Sequence, residues 1–203
     1  MIKTLVLNAS LKHKDNEQPS NTEELTQLVL DNMAKHGEID AEIIRLADYQ
    51  IDVGLGFRES NSDQWPEIVE KIKAADVIIF ATPIWWGQRS SLMQRIIERM
   101  DAFDEEVIAG GRSALLGKVA GIVVTGSEDG AQQVIGSILE VLTFMNFTIA
   151  PQAACYWVGE VGDDPKLERE QRLKSKAAPH MAEATGKSLM QFAQLLKDNP
   201  INK

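Results

Sequence analysis

Residues 76–87 read Asp-Val-Ile-Ile-Phe-Ala-Thr-Pro-Ile-Trp-Trp-Gly, and the fold turns on them. Val77, Ile78, Ile79, Phe80 and Ala81 are apolar at consecutive positions. An extended segment with that pattern has no face suited to water. Strands covered by helices on both sides read this way, whereas a strand with one wet face alternates. Pro83 cannot donate to a ladder and marks the expected end of the strand.

Working outward, similar short runs recur at 2–7, 41–46, 119–125 and 148–158. Helical periodicity fills the gaps between them. From Asn21, residues Leu25, Leu28, Val29, Asn32 and Met33 share one face, with Gly37 as the stop. Trp65-Pro66 opens a short helix over 65–74. Residues 90–100 turn Leu92, Met93, Ile96, Ile97 and Met100 inward, and 131–145 align Val134, Ile138, Leu142 and Met145. The stretch 166–198 is helical, with an interruption near Pro179. Residues 47–63, holding Gly54 and Gly56, are irregular and long for a connection. Residues 101–118 read as an Asp-, Glu- and Gly-rich loop, and 159–165 as a linker. Strands that alternate with helices pair in parallel through right-handed crossovers. The expectation is one doubly wound α/β domain over residues 1–203, with five parallel strands and no internal repeat.

The chain has 203 residues, 44% apolar and 25% charged, enough to build a core without metals or disulfides. Cys155 is its one cysteine, so an internal disulfide, a multi-cysteine zinc site and an iron–sulfur cluster on this chain's own thiolates are all excluded. Cys155 itself reads as a small buried apolar residue. The net charge of −9 opposes binding to nucleic acid or to an anionic membrane. The apolar run at the N-terminus is too short for a signal peptide, and no segment approaches a membrane span. A cytoplasmic location is the expectation. His13, His36 and His180 lack ligand spacing, so no metal is expected.

In an open parallel sheet, ligands bind beyond the carboxyl ends of the strands at the switch point. That brings three loops together: 8–22, 83–88 and 125–130. The first places Ser10, Ser20, Asn21 and Thr22 at a helix mouth, which suits a phosphate, with positive charge from Lys12, His13 and Lys14. It also reads as a helix cap by Ser20 or Asn21 among solvated lysines. The second, Pro83-Ile84-Trp85-Trp86-Gly87, suits a flat aromatic ligand, with Gly87 allowing close backbone approach. Its plainer reading is core or interface packing. The third, Thr125-Gly126-Ser127-Glu128-Asp129-Gly130, offers backbone N–H groups to the electron-rich edge of a heterocycle, or is a turn capped by Ser127 or Asp129. Convergence of all three on one sheet edge favours the ligand.

Several fragments mislead. Gly54-Leu55-Gly56 lacks the third glycine of a dinucleotide fingerprint. Gly186-Lys187-Ser188 has Met181 where a phosphate loop needs glycine, and Gly117-Lys118 precedes a strand rather than following one. No Gly-x-Ser-x-Gly elbow exists. No residue stands out as catalytic, which assigns the chemistry to a bound cofactor.

The three loops resemble those of NADPH-dependent FMN reductases, in order and spacing, over residues 2–160. Ala81-Thr82-Pro83-Ile84-Trp85-Trp86-Gly87 is the most specific match. The resemblance implies a flavodoxin-like fold with strand order 2-1-3-4-5 and non-covalent FMN. It implies phosphate contacts from Ser10, Ser20, Asn21 and Thr22, with Lys12 pairing the phosphate. It implies ring contacts from Pro83, Ile84, Trp85, Trp86 and Gly87, and from Thr125, Gly126, Ser127, Asp129 and Gly130. It also implies a homodimer or homotetramer with the flavin near the subunit interface, where Tyr156 and Trp157 would lie. Related iron–sulfur flavoproteins carry cysteines between the second and third strands; residues 49–64 hold none, so no cluster is expected.

The activity implied is an FMN-dependent oxidoreductase. NADPH or NADH donates hydride to flavin N5, and a small-molecule acceptor (a quinone, a free flavin, or a nitro or azo compound) takes the electrons. The alternative is a flavodoxin-like electron carrier, whose acidity would suit basic redox partners. The phosphate loop here is longer than a simple flavodoxin's. A third reading keeps the fold as an interaction protein without cofactor.

Overall fold

The computed structural model describes residues 1–16, 20–159, 170–172 and 174–201. The strands β1 (Ile2–Asn8), β2 (Ile39–Arg45), β3 (Val77–Trp85), β5 (Val119–Gly126) and β6 (Thr148–Val158) form a parallel sheet in the order β2-β1-β3-β5-β6. Among the parallel strands this is the expected 2-1-3-4-5 order of a flavodoxin-like fold. A sixth, two-residue strand, β4 (Gln88–Arg89), runs antiparallel to the end of β3.

Alternation within each strand splits the core in two. Leu5, Leu7, Ile78, Phe80, Ile122 and Val124 face the layer of α2 (Trp65–Ala74), α3 (Ser91–Arg99), α4 (Asp101–Ile108) and α5 (Ala131–Phe144). Ile2, Val6, Ile79, Ala81 and Val123 face α1 (Asn21–Ala34) and the C-terminal helix α6 (Ala177–Asp198). Each large side chain so buried contributes about 1.5–3 kcal/mol. That is why the doubly apolar runs fix the layers. Gly186, in the false phosphate-loop fragment, lies where α6 crosses α1: a Cβ there would stand 2.8 Å from Val29 O.

The structure corrects two boundaries. β3 does not stop at Pro83 but runs to Trp85, with Pro83 in register with Thr125. The N–H of Ala9 donates to Ala81 O at 2.7 Å, so Ala81 turns its backbone polar groups toward β1. Pro83, two residues on, turns the same way. There β1 has already ended, at Asn8↔Ala81, so the missing N–H breaks no ladder. Residues 101–108 are helical rather than loop. Asp101 and Asp104 occupy the first turn of α4, where acidic side chains favour the helix. Phe103 anchors it in the core, edge-on to Phe57 at 5.0 Å.

Of the expected linker, residues 160–165, together with residues 166–169, lie outside the described residues. α6 begins at Ala177, so Pro179 sits in its first turn, where no N–H is needed; the interruption falls at 175–176. The β5–β6 register jumps from Ala120↔Ile149 to Ile122↔Ala154, because β6 carries extra residues around Pro151 and Gln152. The hydroxyls of Thr185 and Ser188 on α6 donate to the carbonyls of Gln152 and Pro151.

Candidate functional site

At the end of β1, buried Asn8 accepts the Ser10 N–H through Oδ1 at 3.0 Å and donates from Nδ2 to Glu23 at 3.1 Å. Ser10 Oγ accepts the Lys12 N–H at 3.3 Å, curling the loop back on itself. Ser20 caps α1, its Oγ accepting the Glu23 N–H at 3.3 Å. Capping and cleft-lining coexist in this residue. Thr22 Oγ1 meets Thr125 Oγ1 at 2.7 Å, joining the first loop to the third. The two first-turn carboxylates of α1 are both held by arginines: Glu23 by Arg45 and Glu24 by Arg172.

The second loop is a two-residue hairpin. Ile84 pairs with Arg89 and Trp85 with Gln88, leaving Trp86 and Gly87 at the tip with φ of 51° and 71°. Trp86 is 89% exposed and Trp85 50%. Ser90 secures the base: its Oγ donates to Ala9 O at 2.8 Å and its N–H to Thr82 Oγ1 at 3.1 Å. The third loop closes against the hairpin. Gly87 N–H donates to Glu128 Oε1 at 3.4 Å, and a Cβ on Gly130 would lie 2.8 Å from Gly87 Cα.

Together the loops bound a cleft of about 380 Å³, within the range of small-ligand sites. Ser10, Lys12, Ser20, Asn21 and Thr22 line it from the first loop. Pro83, Ile84, Trp85 and Trp86 line it from the end of β3, and Thr125, Gly126 and Ser127 from the end of β5. Three expected site residues do not line it: Gly87 and Gly130 press backbone against backbone, and Asp129 turns to solvent. Leu11 and Glu128 line the cleft without having been singled out. Tyr156 and Trp157 do not line the cleft; they stand beside Val124 and Thr125 of β5 and pack on opposite faces of the sheet. His13 bonds Asp48 at 3.2 Å. The expected Ser127 or Asp129 cap of α5 is not made; the helix starts from Gly130 with no side-chain cap.

Among the described residues, the ionisable side chains lining the cleft are Lys12 and Glu128. Cys155 is buried, which pushes its thiol up to about 12 and leaves it inert at neutral pH. Among the described residues, no group of three or more His, Cys, Asp or Glu could hold a metal ion. None of the described helices is long and apolar enough to cross a membrane. The cleft therefore brings the hydroxyls and amide of the first loop together with the tryptophans of the second.

Residues 2–160 match the family described as NADPH-dependent FMN reductase. Over 173 residues the chain is 32% identical to 8-demethyl-8-aminoriboflavin-5′-phosphate synthase of Streptomyces davaonensis, covering 81% of this chain and 66% of that one. It thus spans slightly less than two thirds of that relative's length. A crystal structure of RosB with the bound intermediate 8-demethyl-8-formylriboflavin-5′-phosphate superposes with a TM-score of 0.85 at 28% identity, covering 99% of this chain and 82% of that one. The apo NADH:FMN oxidoreductase EMOB gives a TM-score of 0.69 at 19% identity over 98% of this chain and 92% of that one, a likeness of fold alone.

Proposed function

The chain belongs to the NADPH-dependent FMN reductase family, and from that premise we propose that it is an FMN-dependent oxidoreductase. Its electron donor is NADPH or NADH, and its acceptor is a small molecule of the quinone or free-flavin class. The observation that carries this reading is the makeup of this cleft: hydroxyls, an amide and a helix N-terminus from the first loop, two tryptophans from the second. That donor set fits FMN, whose phosphate only accepts hydrogen bonds and whose ring is flat. When bound, FMN supplies the electron-accepting and electron-donating chemistry.

The residues of the chain do the rest. Ser10, Ser20, Asn21, Thr22 and the positive end of α1 hold the phosphate, and Lys12 offsets its charge. Pro83, Ile84, Trp85 and Trp86 shape the ring wall, with Gly87 and Gly130 keeping the two loops in register. The backbone of Thr125, Gly126 and Ser127 stabilises negative charge at the ring edge. Catalysis then rests on placing two rings in contact. Exposed Leu11, Trp85 and Trp86 at the rim suit a homodimer or homotetramer that covers the flavin. One domain over 1–203 and a cytoplasmic location complete the reading.

A second reading treats the flavin as substrate. It is favoured by the likeness to a synthase named for a modified flavin phosphate and to RosB, whose structure holds a flavin-phosphate intermediate.

The test is to load the purified protein with FMN, desalt it, record the visible spectrum, and add NADPH or NADH without oxygen. Retained flavin bands that bleach quickly support the reductase. Retained bands that neither donor bleaches favour the electron carrier. A changed mass of the released flavin after turnover in air favours the second reading. No retained flavin overturns the reductase and the carrier, and an unchanged flavin mass after turnover in air overturns the second reading.

A further inference from the structure

We propose that Arg172, which lies beyond the stretch matched by the family, is a positioning residue for a phosphate in the cleft. The inference rests on the flavin-phosphate reading above. Arg172 belongs to the short helical segment that precedes α6, and only 2% of its surface is exposed. It reaches back over the N-terminus of α1. One guanidinium nitrogen donates to Asn21 Oδ1 at 3.2 Å, and another pairs with Glu24. Asn21 is the first residue of α1 and lines the cleft.

Two consequences follow from these contacts. First, a carboxylate in the first turn of a helix competes with an incoming anion for the positive helix end. α1 carries two, Glu23 and Glu24; Arg45 holds one and Arg172 the other. A phosphate approaching this end meets neither as a bare charge. Second, a phosphate accepts hydrogen bonds, so an asparagine serves it through its nitrogen. Arg172 can only donate. By engaging Oδ1 it fixes which end of the Asn21 amide is oxygen. Arg172 therefore acts on a phosphate in two ways, by masking Glu24 and by orienting Asn21.

The experiment compares two ligands that differ in the phosphate alone, FMN and riboflavin, titrated by quenching of flavin fluorescence. The proteins are wild type, R172Q, R172K, N21A and the R172Q/N21A double variant. R172Q is expected to weaken FMN about tenfold while leaving riboflavin within about twofold. In the N21A background the same change should cost clearly less than in wild type, the remainder being the Glu24 charge it exposes. Equal losses for both ligands, no loss, or additive losses with N21A overturn the role of Arg172 while the flavin reading stands. Wild type that binds neither flavin, or both equally, overturns the phosphate reading and the inference with it. Should R172Q fail to fold, R172K, which keeps the charge but not the fork, must show the same FMN-selective loss at smaller size.

Discussion

Trp86 holds a backbone φ of 51° at the tip of the β3–β4 hairpin, with its ring almost wholly exposed. Two-residue turns with positive φ at both positions favour Asn-Gly, and this chain has Trp-Gly. The left-handed region costs an ordinary L-residue about 1–2 kcal/mol. Strain of this kind gathers at ligand sites. Trp86→Asn should therefore raise the stability of the flavin-free protein by about 1 kcal/mol in urea denaturation while lowering FMN retention after desalting. A variant that loses stability would remove the strain at Trp86, and one that keeps its flavin as wild type does would remove Trp86 from the ring wall. Gly130, at a φ of 122°, faces Gly87 across a gap that admits no Cβ. Gly130→Ala should destabilise the protein by about 1–3 kcal/mol and weaken FMN binding, as measured by denaturation and fluorescence titration. Both glycines were legible as residues of these loops. Gly130 lets the third loop meet the hairpin, whereas the Cβ position of Gly87 is open space. Glu128, rather than its neighbour Asp129, lines the cleft. A glycine-rich turn has no period, so the sequence does not say which of two adjacent carboxylates faces inward.

The long segment after β2 shows what elements do to one another. Arg99 of α3 and Asp63 form an ion pair at 2.7 Å with both side chains fully buried. Arg99 also donates to the carbonyls of Asp52 at 2.8 Å and Gly56 at 3.0 Å, and Arg95 to Ile51 at 2.9 Å. None of residues 47–63 lines the cleft. Burial alone would push the Asp63 carboxyl up. Hydrogen bonds from Arg99 and from the N–H groups of Glu59, Trp65 and Asp52 outweigh it and hold the pKa at about 2. The folded value lies below the ordinary one, so this stabilisation is complete above about pH 4 and fades as the pH falls toward 2. Wild type should lose on the order of 2 kcal/mol from this group across that window. Asp63→Asn should lack that part of the slope when urea unfolding is followed from pH 5 to 2.5. Arg99→Met, which strands the buried carboxylate, should cost about 3–5 kcal/mol at neutral pH. The length of the segment was legible and its anchoring was not, because the anchor stands 36 residues away. Gly117-Lys118 yields to the same view. Lys118 Nζ donates to the carbonyls of Lys73 and Ala75 at 2.7 and 2.6 Å, capping α2, and burial lowers its pKa.

Across the whole molecule, the cleft is built by loops that follow β1, β3 and β5. A ligand that bridges them binds only the folded chain. FMN at a hundred times its Kd should then add about 2.7 kcal/mol. For a chain of this size that is a rise in Tm of about 5–10 °C, read by differential scanning fluorimetry or calorimetry. An unchanged Tm at saturating FMN would speak against the cleft as the flavin site. At this scale the sequence was most legible. Val77–Ala81 and Val119–Val124 exclude water from both faces, and that alone dictates a central parallel sheet with helices on each side. Lys12, Ser20 and Trp86 reach one cleft because strand order, itself readable, puts their loops side by side. Arg172 was not legible as part of the site, since no periodicity links it to Asn21 across 151 residues.

One feature of β6 bears on how the molecule lives among copies of itself. This strand is an edge of the sheet and eleven residues long. An unbroken edge of that length offers a stranger's backbone a template on which to add, and then another on that. The extra residues around Pro151 and Gln152 break the row midway, Pro151 contributes no donor, and the two carbonyls there are already taken by hydroxyls of α6. Open-ended stacking finds no purchase on this edge.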